Sequence, residues 1–376
     1  MSLPEDLDRH SIYLGRIATE LLRTRVFPSY DAAYKAVRLI LLDAETIGSP
    51  TKLSLVNKAI AKAIDAATSS AWEETTKELT GLAVYESSYY TELIGGYAGI
   101  RMKTPPQRQV KEWMQKALMA LTEGESPQAG LWPDFVRKNK TAMIGRVQGV
   151  VSAGYRNGLT VQDMTSQIKL LTDGLLSRHA EALVRTAVQF YANEGREQFA
   201  VSNKDLLSER VYWATLDNRT TLLCAGRHLK KWPIHAKDYP TIPAHFGCRS
   251  QWLFLVEGQE SPDGMKPAVG GKDTEEAERL FKAQEDRTGK KPKYKGRKDL
   301  NKFAIERVKA NTKFDTWLKQ QPSWFVEDTL GPTHAKLFLE GKLPISSFTD
   351  MAGRTLTLDE LRQRDADAFR RAGLAQ

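Results

Sequence analysis

Through the first two hundred residues the apolar side chains recur with the period of a helix, and this restricts the fold more than any other feature of the chain. In "LVNKAIAKAIDAAT", Val56, Ile60, Ala63, Ile64 and Ala67 keep the i, i+4, i+7 spacing of one buried face. "DAAYKAVRLILLDAE", from Asp31, is another apolar helical run, and one from Ser70 to Ile94 carries Trp72, Leu79, Leu82 and Tyr89. The paired prolines of "KTPPQRQ" break the pattern, because they remove donors and fix φ. "TEGESPQAG", Thr122 to Gly130, reads as a loop, and the helical run from Trp132 to Asn157 stops at Gly158. "LTVQDMTSQIKLL" then sets Val161, Met164, Ile168 and Leu171 on one face. "SRHAEALVRTAVQFYANEGREQFA" packs through Val184, Ala187, Val188 and Tyr191, leaving Arg185, Gln189, Asn193 and Arg196 towards another side. Helical hairpins around a shared core are expected, not a Rossmann sheet.

At Glu209 the pattern changes. "RVYWATL" and "SQWLFLV" are short, β-branched and aromatic, and read as two strands. About thirty residues rich in turn chemistry separate them, long enough to be functional or tied down. The expected architecture is therefore mainly α. It comprises a helical region (1–200), a small α+β module with a long loop (201–257), a Gly/Pro-rich and basic linker (258–312) and a helical C-terminal tail (313–376). In the tail, Trp317, Trp324, Phe325, Leu330, Leu337 and Phe338 fall at near-helical spacing and read as core, with Gly331-Pro332 dividing two helices.

The formal net charge of +9 favours polyanions as partners. Its densest source is Arg287 to Lys302, where eight cationic residues face one Asp in a stretch too rich in Gly and Pro for a regular helix. It reads as a flexible basic connector, with Lys290, Lys291, Lys293, Lys295, Arg297 and Lys298 as candidate contacts to DNA phosphates. No stretch approaches the roughly 20 apolar residues that span a bilayer, so no membrane partner is expected. The first ten residues lack a basic and apolar leader, which points to folding in a reducing cytoplasm.

Both cysteines of the chain lie in the long loop, in "WATLDNRTTLLCAGRHLKKWPIHAKDYPTIPAHFGCRSQW". Three readings compete for it. Cys224, His228, His245 and Cys248 have spacings similar to zinc pairs, though the flanks lack finger spacing. Cys224 or Cys248 with His245 and Asp217 is the composition of a thiolate–imidazole–carboxylate nucleophile, without any local signature. A structural reading explains more residues. Asp217 and Arg219 fix the turn after the first strand through a bidentate ion pair, Thr220 and Thr221 supply acceptors, and the two cysteines lie close together across the loop.

"YWATLDNRTTLLCAG" followed by "PAHFGCRS" resembles the signature of the MuF-like phage head morphogenesis proteins, the minor head proteins. Trp213, Asp217, Arg219, Thr220, Cys224, Pro243, His245, Cys248 and Arg249 occupy matching places. Thr221 and Ser250 stand where that pattern has further cysteines, and His228 has no counterpart. "ALVRTAVQFYANEGREQF" and the segment from Phe314 to Leu361 are also similar to parts of the family, so the resemblance spans about residues 150 to 360. It implies a virion component near the portal inside the capsid, made in the host cytoplasm; a non-enzymatic protein is expected, with no cofactor unless the loop holds zinc. Such a protein assists head assembly and contacts the portal, the inner capsid and packaged double-stranded DNA without sequence preference. The alternatives are an effector or Cys–His hydrolase delivered with the genome, and a DNA-binding protein with no capsid role.

Overall fold

In a computed structural model, residues 2–44, 47–122, 128–259, 262–271, 305–350 and 353–374 are described. Seven helices build the N-terminal body: α1 (Leu3–Leu21), α2 (Phe27–Asp43), α3 (Pro50–Ala98), α4 (Gln107–Met114), α5 (Trp132–Asn157), α6 (Val161–Leu171) and α7 (Ser177–Ser202). Single π-helical turns join α1 to α2 and α6 to α7. The mainly α expectation holds.

The spine is α3, 49 residues and about 74 Å long at 1.5 Å per residue. Ser49 caps its start by accepting from Lys52 N–H, Pro50 opens its first turn, and Gly99 at φ 66° closes it in a left-handed conformation. The two runs read from the sequence are thus one helix. Where the two runs meet, Thr68 returns its hydroxyl to the helix by donating to Ile64 O at 2.8 Å, and Thr75 inside the second run does the same to Ala71 O at 2.7 Å. Against α3 lies α7, brought close by Gly195, where an added Cβ would sit 2.3 Å from Ala83 O. Their shared core includes Ile60, Ile64, Trp72, Leu79, Val184, Ala187 and Val188. Tyr90, not Tyr89, takes the buried aromatic position further along.

The α+β module follows: β3 (Leu207–Trp213), α8 (Leu222–Arg227), β4 (Lys231–Pro233) and β5 (Gln251–Val256). Its sheet is antiparallel in the order β4-β3-β5, with Arg210 opposite Phe254 and Trp213 opposite Gln251. All six residues of β5 are buried, because the sheet packs onto the ends of α3 and α7 through Tyr90, Ile94 and Phe199. Tyr90 ties the layers by donating to Trp252 O at 3.1 Å.

Three small pieces depart from the expectation. β1 (Met119–Leu121) pairs with β2 (Gln128–Gly130) where a loop was expected, and β4 lies inside the long loop. β6 (Met265–Val269) pairs with β7 (Ile305–Lys309) within the stretch assigned as linker. The basic tract, with Lys290, Lys291, Lys293, Lys295, Arg297 and Lys298, lies outside the described residues. Short helices at Phe314–Leu318, Ser323–Leu330, Pro332–Leu339, Leu358–Arg364 and Ala366–Arg371 make the C-terminal part. Trp317, Phe325, Leu337 and Phe338 form its core, Trp324 stays half-buried, and Leu216 and Ala225 of the module and Ala268 of β6 join the cluster.

Candidate functional site

The loop between β3 and β5 is built, not slack. At its start Asp217, 4% exposed, acts as the keystone. Its Oδ1 accepts from Arg219 N–H at 3.1 Å and from the Thr220 hydroxyl at 3.0 Å, a side-chain turn that reverses the chain after β3. Arg249, 32 residues on, then grips both carboxylate oxygens, Nη1 to Oδ2 at 2.5 Å and Nη2 to Oδ1 at 2.7 Å. Burial alone would raise the Asp217 pKa. The hydrogen bonds and charge of Arg249, with those of Thr220 and Arg219, outweigh it and hold the carboxyl below its ordinary value. The bidentate partner is therefore Arg249, whereas the Arg219 guanidinium reaches out from an exposed side chain, 4.0 Å from Asp217. Sequence separation hid this pairing, since Arg219 is local to Asp217 and Arg249 is not.

Thr221 caps α8 by accepting from Cys224 N–H at 3.4 Å, which points Cys224 inward. There Cys224 Sγ lies 3.3 Å from His245 Nε2, 3.9 Å from Cys248 Sγ and 3.2 Å from Tyr212 Oη. Both sulfurs are buried free thiols. The Cys248 sulfur also takes hydrogen bonds from Ser250 and from Ala244 N–H. These, led by the bond from Cys224, outweigh its burial and bring it down to about 6, while Cys224, bonded to Cys248 and buried, is pushed well above its ordinary value. Ser250 thus serves as a hydrogen-bond donor to the Cys248 sulfur.

Cys224, His245 and Cys248 bring their ligand atoms within 4.8 Å of one another, a group that can bind a metal ion. His228, the fourth candidate from spacing, is not in that group. It is buried with its ring edge against Trp213 at 5.6 Å, accepts from Ala214 N–H at 3.2 Å, and burial drives its pKa well down, so it is a neutral core residue. Trp213 itself is buried between this ring and the Lys266 ammonium, which lies 4.0 Å from the indole centroid. The thiolate–imidazole–carboxylate trio does not assemble, because Asp217 is spent on Arg249 and His245 Nδ1 lies 2.9 Å from Phe246 O. That carbonyl leaves Nε2 of a neutral ring with its lone pair towards the sulfurs.

The loop is anchored from outside at several points. Gly247 N–H donates to Thr186 Oγ1 on α7 at 2.8 Å, and Thr122 N–H to Ala244 O at 2.8 Å beside β1. Lys266 on β6, wholly buried, donates to Ala214 O at 2.9 Å. Beneath the module runs a buried polar network. Arg196 donates to Glu86 at 2.9 Å and to Gln251 Oε1 at 3.0 Å, His10 closes onto Glu86, and Asn193 Oδ1 accepts from Trp252 N–H at 3.1 Å. Of the polar side of α7, Gln189, Asn193 and Arg196 are therefore interior, while the Arg185 side chain stays partly exposed. Glu194 and Glu197, on the same helix, face a cavity with Trp113, Tyr239 and Trp252, and both are raised to about 7 by desolvation. None of Glu86, Glu194 and Glu197 carried a sequence signal, since each is set by long-range packing.

Compared with protein-family models, curated proteins and solved structures, the chain matches none.

Proposed function

We propose that this chain is a minor head protein of a tailed bacteriophage, of the MuF-like kind, acting through structure and contact. One observation carries the reading. Asp217, Thr220, Cys224, His245, Cys248 and Arg249, which carry the resemblance, converge on a single internally bonded loop, mounted on a body of long helices. A loop whose polar groups are spent on one another suits a scaffold element better than a reacting centre. Burial of both cysteines, and the engagement of Asp217 by Arg249, weigh against the hydrolase alternative.

In this reading the protein sits inside the capsid near the portal and is made in the host cytoplasm. Leu39, Leu42 and Leu55, exposed near the junction of α2 and α3, offer apolar contacts to a portal or inner capsid protein. The positive balance and the 287–302 tract serve DNA, by neutralising phosphates and releasing counterions. No helix of the described residues is long and apolar enough to cross a membrane.

Zinc is the metal the loop fits best. Two thiolates at about 2.3 Å from a tetrahedral ion stand roughly 3.8 Å apart, close to the 3.9 Å between Cys224 and Cys248. With His245 that makes three protein ligands and leaves a fourth position for water.

Mass spectrometry of mature particles from the virus that encodes the chain tests the reading. A few copies per particle, lost when Leu39→Ser and Leu55→Ser are combined in a folded protein, is the expected result. Absence of the wild-type chain from assembled particles and from portal complexes would overturn it.

A further inference from the structure

Between α1, α7 and the loop after β3 lies a cavity of about 420 Å³. Arg185 of α7 and Arg219 and Arg249 of the loop bring three guanidiniums to it, beside Glu181 and the Cys248 sulfur. Glu181 pairs with Arg185 and Asp217 with Arg249, which leaves the charge of Arg219 over. Arg249 is aimed by its grip on Asp217, so its orientation is fixed before any ligand arrives. Arg185 spends its Nε on Glu181 at 2.8 Å, and among the described residues its two terminal nitrogens make no hydrogen bond. Arg219 has one contact there, the 4.0 Å approach to Asp217, with its side chain 75% exposed.

A second observation is independent of charge. Gln189, only 8% exposed, lines the same cavity, and its Oε1 is buried without a hydrogen-bond partner. A buried amide left so costs about 1–3 kcal/mol, a cost a ligand would remove. Which end of the amide faces the ligand is set by the ligand itself, since oxygen and nitrogen exchange by a half-turn. Gly15 of α1, with no atom within 4 Å of where a Cβ would stand, keeps the opposite wall open.

We propose that this cavity is an oxyanion site for a phosphate group, with Arg185, Arg219 and Arg249 donating to its oxygens and the Gln189 amide completing the shell. Planar guanidiniums match the spacing of phosphate oxygens and bind them in pairs. The site does not depend on the head-protein reading, and it is separate in sequence from the 287–302 tract. The phosphate can belong to a small phosphate ester or to a nucleic-acid backbone.

The test uses the full chain, with inorganic phosphate and a short DNA duplex as separate probes at fixed ionic strength. Arg219→Ala and Arg185→Gln are the variants, both at exposed side chains. Saturable phosphate binding that weakens about tenfold in either variant is expected, with the melting temperature in phosphate-free buffer unchanged. A matching loss of duplex affinity identifies the source as DNA backbone, and an unchanged duplex affinity identifies it as a small phosphate ester. Phosphate binding that is absent, or equal in wild type and both variants, would overturn the proposal whatever particle analysis shows.

Discussion

Asp217 holds the loop through one carboxylate that four donors share: two guanidinium nitrogens, a hydroxyl and a backbone N–H. Asp217→Asn keeps the shape but cancels the charge facing Arg249, and should cost about 3 kcal/mol, seen as a lower urea midpoint. Because the folded carboxyl is held below its unfolded value, its contribution is present above about pH 4 and lost as pH falls through the folded pKa. The variant should lack that part of the acid sensitivity. Glu194 gives the opposite sign. Desolvation raises it to about 7 despite its bond from Trp113 Nε1, so wild-type stability should fall as pH rises from about 4.3 through 7. Glu194→Gln should flatten that decline in melts across the range. A decline as steep as in wild type would contradict the assignment. At this scale the sequence disclosed which residues matter in the loop but not how they pair. Asp217–Arg219 was the local guess, whereas Arg249 is brought in by the fold; His245 was named with the two cysteines and does meet them, and His228, named beside them, does not.

Helix boundaries set by local chemistry were legible: Trp132 to Asn157 ends at Gly158, whose φ of 65° needs a residue without a Cβ. The continuity of α3 was not, because the polar stretch around Thr68 to Ser70 resembles a break until tertiary contacts bury one side of it. Likewise β6 and β7 each have five residues, lie in Gly/Pro-rich or basic surroundings, and acquire strand character only by pairing with each other and docking beside Leu216. Gly195 is the close-approach point of α3 and α7. Gly195→Ala would force its Cβ against Ala83 O and Glu86, so a loss of about 2–3 kcal/mol in urea unfolding is expected despite the better helix propensity of alanine. An unchanged or raised midpoint would mean that the two helices have room to separate.

Across the molecule, three apolar clusters are stitched by polar links that cross between elements. The most central is Arg196, wholly buried, which joins α7 to Glu86 on α3 and Gln251 on β5, while His10 brings in α1. Arg196→Met should cost about 3–5 kcal/mol by stranding the Glu86 charge, and adding Glu86→Leu should recover part of the loss. Additive losses in that double-mutant cycle would show that the two charges do not act as a unit. Such stitching joins the helical body to the sheet that carries the loop. The claim that the chain belongs in a phage head is tested most directly by cryo-EM of the mature particle, reconstructed without imposed symmetry. The account predicts density for the long α3–α7 pair at the inner rim of the portal, in few copies. A portal vertex with no such density, in particles shown to contain the chain elsewhere or not at all, would contradict it.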